Sequence, residues 1–132
     1  MIQDSGIKPE SARIKSFTDL LSWQESHKLT INIYNLTKDY PKSEIYALVD
    51  QMRRATSSIG ANIAEAFGRQ SYREKIQYYH QALGSIDELH NFLLLSKDLG
   101  YIAAESFEMT LESIHLCRRL LKGLINKTKS YI

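Results

Sequence analysis

Apolar residues step by three and four along most of this chain. Ile45, Leu48, Met52, Ala55 and Ile59 fall on one helix face. The same step then reaches Asn62 before it returns to Ala66, with Ser58 and Glu65 on either side. A buried amide left without a hydrogen bond costs about 1–3 kcal/mol, so the spacing predicts a specific partner for Asn62. Four helices are expected in all. The first covers residues 17–39, with Ser16 or Thr18 as its cap and Phe17, Leu20, Leu21, Trp23, Ile31, Tyr34 and Leu36 as apolar members. It must end by Tyr40, because Pro41 disfavours helix in the residue before it. The second covers 44–67, capped by Ser43 and stopped by Gly68. The third covers 72–98: Ser71 and Glu74 have the spacing of a capping box, and Gly100 stands where a C-terminal cap glycine belongs. The fourth covers 104–127, with Phe107, Leu111, Ile114, Leu121 and Leu124 or Ile125 at helical spacing. Residues 1–15 are polar and aperiodic, contain Gly6 and Pro9, and read as a flexible lead-in to a bundle over 16–132.

Loops of only a few residues force consecutive helices to lie antiparallel, so the expected fold is all-α, an up-down-up-down four-helix bundle. No alternating run bounded by Asn-Gly or Asp-Gly competes as a hairpin. The apolar stripes are wider than a lone bundle needs. The first helix has one face with Leu20, His27, Ile31 and Tyr34 and another with Leu29, Ile33, Leu36 and Tyr40. The fourth has Leu111, Ile114 and Leu121 on one side and Leu116 and Leu120 on another. Apolar surface left outside a core points to a partner, here self-association.

Composition narrows the class. At 132 residues the chain is one domain. It is 43% apolar and 24% charged, ordinary values for a globular protein. Its one cysteine, Cys117, excludes an internal disulfide and a multi-cysteine zinc site. The first residues lack the apolar core of a signal peptide. No stretch approaches the roughly 20 apolar residues of a membrane span. A cytoplasmic, soluble protein is expected. Seventeen basic and fifteen acidic residues give a net charge of +2, which permits contact with nucleic acid without demanding it.

Several segments resemble a known family. Phe17 through Trp23-Gln24 is similar to its opening, and Tyr34 through Pro41 to its first helix exit. Gln51-Met52-Arg53-Arg54-Ala55 with Ser58-Ile59 resembles the middle of its second helix, and Asn62-Ile63-Ala64-Glu65 with Gly68-Arg69 its most distinctive motif. Ala82-Leu83-Gly84-Ser85 with Glu88-Leu89, Leu99-Gly100-Tyr101 and Leu121-Lys122-Gly123-Leu124 resemble its later signatures. The family is that of four-helix-bundle proteins encoded in intervening sequences of bacterial 23S ribosomal RNA genes, which looks related to the accessory variability protein of diversity-generating retroelements. The resemblance spans about residues 16–127. One position departs from it: Ala66 stands where the family usually has glycine. The resemblance implies a ring-like homopentamer with no known enzymatic activity. For the retroelement relatives it implies binding to a reverse transcriptase and to nucleic acid through a basic surface.

Among candidate sites, Ser58, Asn62, Glu65, Ser85 and Glu88 are expected to form a structural polar network between the second and third helices, with Gly84 or Ser85 allowing close approach. A catalytic site with Glu65 as base is the weaker reading, since no nucleophile or glycine-rich phosphate loop accompanies it. Glu112-Ser-Ile-His115 fits the Glu-x-x-His spacing of di-iron bundles once, and Asp87-Glu-Leu-His90 loosely. Two such motifs and two more glutamates are needed, so no metal and no cofactor is expected. Cys117 reads as a packing residue. Arg53, Arg54, Arg69, Arg73, Lys75, Arg118, Arg119 and Lys122 are the candidate nucleic-acid-binding residues. In an up-down-up-down bundle the turn between helices 2 and 3 shares a pole with the end of helix 4, so these cations are expected to build one basic end. The reading that results is a non-enzymatic, oligomeric binding or scaffold protein with itself as first partner. RNA, or a nucleic-acid enzyme such as a reverse transcriptase, is the candidate second partner. The alternative is a protein–protein scaffold without nucleic-acid binding.

Overall fold

The computed structural model describes residues 14–132. The expected lead-in over 1–15 lies outside the described residues except for its last two. Four helices follow: α1 (Leu21–Thr37), α2 (Leu48–Phe67), α3 (Tyr72–Asp98) and α4 (Ala104–Lys129). Short 3-10 turns occupy Phe17–Asp19 and Lys42–Glu44, and no strand occurs among the described residues. α1 packs on α2 and α4, and α3 packs on the same two helices, which closes an antiparallel four-helix bundle. Ring contacts mark its poles. Tyr72, opening α3, lies 5.2 Å from Tyr131 beyond α4, so the α2–α3 turn and the C-terminus share one pole. At the other pole Tyr40 lies 5.4 Å from Tyr101, whose hydroxyl donates to Glu44 Oε2 at 2.8 Å. No helix among the described residues is long and apolar enough to cross a membrane.

The first two helices start later than the sequence pattern suggests. Ser16 does cap, but it caps the 3-10 turn: its hydroxyl accepts from Thr18 N at 3.2 Å, and Asp19 Oδ2 accepts from Ser16 N at 3.1 Å. Leu20 is then extended, so α1 begins only at Leu21. Ser43 caps nothing; it lies inside the second 3-10 turn, and α2 begins after Ala47. Tertiary contacts override the local signal here, because Tyr40 and Glu44 are both drawn onto Tyr101. Ile45, the first residue of the predicted stripe, is consequently exposed.

The ends of α3 follow their caps closely. Ser71 Oγ accepts from Glu74 N at 3.1 Å, while the Glu74 carboxylate meets the Ser71 hydroxyl rather than its backbone N–H, so only half of the capping box forms. Gly100 has φ +77°, with Gly100 N donating to Lys97 O at 3.0 Å and Tyr101 N to Ser96 O at 2.9 Å. That pair of bonds is the Schellman motif, and its left-handed residue favours glycine. Gly68 differs, with a right-handed φ of −82°. The last carbonyls of α2 are met by Lys75, whose Nζ donates to Phe67 O at 2.9 Å and Ala66 O at 3.2 Å. Its desolvation there lowers the Lys75 pKa.

The core draws on all four helices. Leu29 and Ile33 of α1, Ile59 and Ile63 of α2, Leu89 and Leu93 of α3, and Ile114 and Leu121 of α4 are each at most 1% exposed. The α2 stripe therefore turns from Ile59 to Ile63. Asn62 sits half-buried at the edge of the stripe, on the flank facing α3.

Candidate functional site

Four features compete for the role of functional site: the α2–α3 seam, the histidines between α3 and α4, the cations and the outer face of α1. At the seam Asn62 Nδ2 donates to Ser58 O at 2.9 Å and to Ser58 Oγ at 3.3 Å. Ser58 Oγ in turn bonds Ser85 Oγ, and Ser85 Oγ donates to Gln81 O at 3.2 Å. Because the Ser85 proton goes to a carbonyl, the Ser58 hydroxyl must donate to Ser85. The chain Asn62, Ser58, Ser85, Gln81 is thus directional, uncharged and internally satisfied, a device that fixes helix register. The structure brings together Ser58, Asn62 and Ser85. It does not bring in Glu65, which is exposed and pairs with Arg69 at 2.8 Å, or Glu88, which is exposed on α3. Among the described residues no carboxylate stands beside the serines to act as a base. Of the two positions expected to allow close approach, Ser85 meets Ser58 across the seam, whereas a Cβ at Gly84 would meet nothing within 4 Å among the described residues. A further close approach joins α1 and α2 at Gly60, where a Cβ would lie 3.3 Å from Trp23 Nε1.

Between α3 and α4, His90 and His115 do meet, with ring centroids 5.7 Å apart. Arg118 fills the position a metal would need. Its Nη1 lies 3.0 Å from His115 Nδ1, and its Nη2 3.3 Å from His90 Nδ1 and 3.0 Å from Asp87 Oδ1. A guanidinium only donates, so both imidazoles accept through Nδ1 and carry their hydrogen on Nε2. Among the described residues no three or more His, Cys, Asp or Glu are grouped to hold a metal ion. Of the other histidines, His27 stacks on Trp23 at 4.7 Å and His80 is exposed.

Cys117 is buried, and desolvation pushes its thiol up to about 11. At pH 8 roughly one thiol in a thousand is then ionised. Ellman's reagent is expected to leave the native protein unlabelled for an hour and to titrate one thiol in 6 M guanidinium chloride; rapid native labelling would contradict the burial.

The cations are dispersed and mostly committed. Arg53 and Arg54 lie in the first third of α2, about 22 Å along the helix from Arg69, and belong to the opposite pole. Arg54 pairs with Asp50 at 2.9 Å, Arg69 with Glu65, and Arg118 with Asp87. Arg53 rests over the Tyr34 ring at 4.7 Å, and Lys75 caps α2. Arg73, Arg119, Lys122 and Lys129 are exposed with no carboxylate within ion-pair distance among the described residues. The basic end thus gathers Arg69, Arg73, Lys75 and Lys129 but not Arg53, Arg54 or Arg118. The sequence pattern gave no sign of the interhelical pairing of Arg118 and Asp87, because only the α3–α4 register brings the two together.

The apolar outer face of α1 is laid bare. Leu21 and Ile31 are 57% and 52% exposed, and His27 and Tyr34 are exposed beside Ile31 at helical spacing. Tyr34 Oη lies 3.4 Å from Ser57 Oγ, so this face continues onto the α2 flank that carries Gly60, Ala61 and Ala64. A groove of about 180 Å³ between the start of α1 and the end of α4 is lined by Leu20, Leu21, Leu120, Gly123 and Leu124. The Ser22 hydroxyl, which also lines it, is buried without a partner among the described residues.

The sequence profile described as 23S rRNA-intervening sequence protein matches residues 18–123. A similar fold occurs in the crystal structure of a protein of unknown function from the S23 ribosomal protein family of Bacteroides thetaiotaomicron. The two are 28% identical and superpose with a TM-score of 0.74, over 80% of this chain and 98% of that one. No curated protein matches the chain.

Proposed function

Because the chain belongs to the 23S rRNA-intervening sequence protein family, we propose that it is a non-enzymatic, homo-oligomeric scaffold whose subunits join through the outer face of α1. The observation that carries this reading is Ile31. It is 52% exposed at mid-helix, between His27 and Tyr34 and beside the small residues of α2. Apolar rings and branched chains next to a flank of Gly60, Ala61 and Ala64 allow a second helix to come close, and covering them removes apolar area from water. The groove beside Leu21 and the unpaired Ser22 hydroxyl support the same reading. The family resemblance sets the expected number of subunits at five.

A second reading, binding of RNA or of a nucleic-acid enzyme such as a reverse transcriptase, draws support from the Tyr72–Tyr131 contact. That contact holds the end of α4 against the α2–α3 turn, so Arg73 and Lys129 share a pole, and a ring of subunits would repeat them as a collar. With Arg69 neutralised by Glu65 and Arg53, Arg54 and Arg118 away from this pole, the collar is thinner than the residue count suggests. Scaffolding is therefore the primary reading and RNA binding the secondary one.

Size-exclusion chromatography with light scattering, read at two ultraviolet wavelengths, tests both. The expected mass is five subunits for the wild type and one for Ile31→Glu, with unchanged helical circular dichroism. A wild-type monomer would overturn the scaffold reading. A wild-type protein free of nucleic-acid absorbance at low salt would overturn the RNA reading, and absorbance that persists in Arg73→Glu would overturn the collar as its site.

A further inference from the structure

The pole opposite the α2–α3 turn holds a cleft of about 460 Å³ under the α1–α2 connection. We propose that this cleft binds a phosphate carried by an aromatic group, in chemical class a nucleoside phosphate. This goes beyond the scaffold reading and uses a neighbouring surface, which meets the α1 face at Tyr34.

Charge carries the inference first. Lys38, Lys42 and Arg53 all line the cleft, and none has a carboxylate within ion-pair distance among the described residues. Asp50, the one acid in the lining among the described residues, is held by Arg54 at 2.9 Å. Glu44, in the connection itself, is engaged by the Tyr101 hydroxyl at 2.8 Å. The contrast with the other half-buried arginines is informative. Arg69 carries Glu65 and Arg118 carries Asp87, whereas Arg53 carries no counter-ion among the described residues. A half-buried cation without its anion leaves a positive potential that an incoming anion can satisfy.

Arg53 is also preorganised. Its Nε donates to the buried Thr37 Oγ1 at 3.0 Å and its Nη2 to Tyr34 O at 3.2 Å, with the guanidinium 4.7 Å from the Tyr34 ring centroid. Nη1 makes no bond among the described residues. A guanidinium fixed on one side and open on the other can receive phosphate oxygens with little ordering cost. Lys38 and Lys42, both exposed, can close on the same oxygens as point charges. The aromatic half of the ligand is indicated by Tyr46, which lines the cleft yet is 94% exposed. A phenol ring with almost no protein contact at the mouth of a cationic cleft is a stacking platform for a base. The cleft volume falls within the range of about 300–1,000 Å³ typical of small-molecule sites.

Isothermal titration calorimetry on the full chain at low salt tests this with adenosine 5′-monophosphate, inorganic phosphate, and hexa-adenylate RNA with and without a 5′-phosphate. Adenosine monophosphate is expected to bind with a Kd of about 0.1–1 mM. Lys42→Glu should weaken it at least tenfold. Tyr46→Ala should weaken it about fivefold while leaving inorganic phosphate unchanged. Both side chains are exposed, so circular dichroism should show the fold intact. If the 5′-phosphorylated RNA binds more tightly than both the mononucleotide and the 5′-hydroxyl RNA, the natural source is an RNA end. If the mononucleotide binds as well as the RNA, the source is a free nucleotide. Absence of binding by both phosphorylated probes at 5 mM would overturn the proposal, as would equal affinities in wild type and both variants. So would loss of binding in Arg73→Glu with retention in Lys42→Glu, which would move the site to the other pole. Subunit mass, unaffected by Lys42→Glu, keeps this outcome separate from the fate of the scaffold reading.

Discussion

Ile59→Ala is expected to lower the free energy of unfolding by about 3 kcal/mol, within the roughly 2–5 kcal/mol seen when a buried isoleucine, leucine or methionine is cut to alanine. Ile59 is fully buried at the middle of α2, on the line from Met52 to Ile63 that is closed to solvent throughout. α2 packs against both α1 and α3, so the gap left by the missing carbons is enclosed by helices on both sides and cannot collapse onto solvent. A loss of this size is a large fraction of the about 5–15 kcal/mol that holds an ordinary domain together. It should lower the melting temperature by roughly 10 °C. Urea unfolding followed by circular dichroism, at one fixed protein concentration, gives the value directly. Met109→Ala on α4 is the internal control. Its side chain is 64% exposed and lies outside the α1 face proposed to join subunits, so stability should change by less than about 0.5 kcal/mol. A result in which the two substitutions cost the same would mean that buried and exposed apolar positions have been confused.

That contrast also marks how far the fold could be read from the residues. Helical spacing shows both apolar faces of α1, Leu29 and Ile33 on one side and Ile31 and Tyr34 on the other, but periodicity alone does not say which face the bundle takes. The packed structure assigns Leu29 and Ile33 to the core. The antiparallel bundle itself was legible because Ser71 and Gly100 are local devices whose geometry depends on few distant residues. The starts of α1 and α2 were not, because Leu20 packs on the core in an extended conformation and Glu44, just before α2, is drawn to Tyr101 across the bundle. The α2 stripe shows the same division. Spacing by four takes Ile59 to Ile63, spacing by three takes it to Asn62, and only the position of α3 decides between them. Once decided, Asn62 becomes an edge amide satisfied through Ser58 and Ser85. The cations were the least legible. Charge is counted along a sequence, but its effect depends on neighbours. Glu65 is four residues before Arg69 and could have been paired from the sequence alone, whereas Asp87 and Arg118 needed the α3–α4 register.

Arg118→Leu is expected to lower stability by about 1–2 kcal/mol at pH 7.5 and by less at pH 5. The ion pair with Asp87 contributes little of this, because the Asp87 side chain is 71% exposed and such pairs are worth about 0–1 kcal/mol. The larger part comes from the buried length of the arginine stem, its own side chain being only 19% exposed, and from the half-buried His90 Nδ1 left without a donor. The pH dependence follows from His90. Burial first, then the charges of Arg118 and His115, hold its pKa below the ordinary 6.5, against an opposing effect of Asp87. Above 6.5 the imidazole is neutral in both folded and unfolded chains and contributes no slope. As the pH falls below 6.5 the unfolded chain takes up the proton first, so stability is lost until the pH passes the lower folded value. Removing Arg118 removes one of the charges that keep the folded His90 neutral. Its pKa should rise toward 6.5, and the acid-side loss should shrink. The wild type and the variant should therefore converge in stability between pH 7.5 and pH 5. Histidine ring-proton NMR titrations and urea melts at the two pH values measure both quantities. A His90 pKa that stays put or falls in Arg118→Leu would show that the guanidinium does not act on the imidazole through its charge.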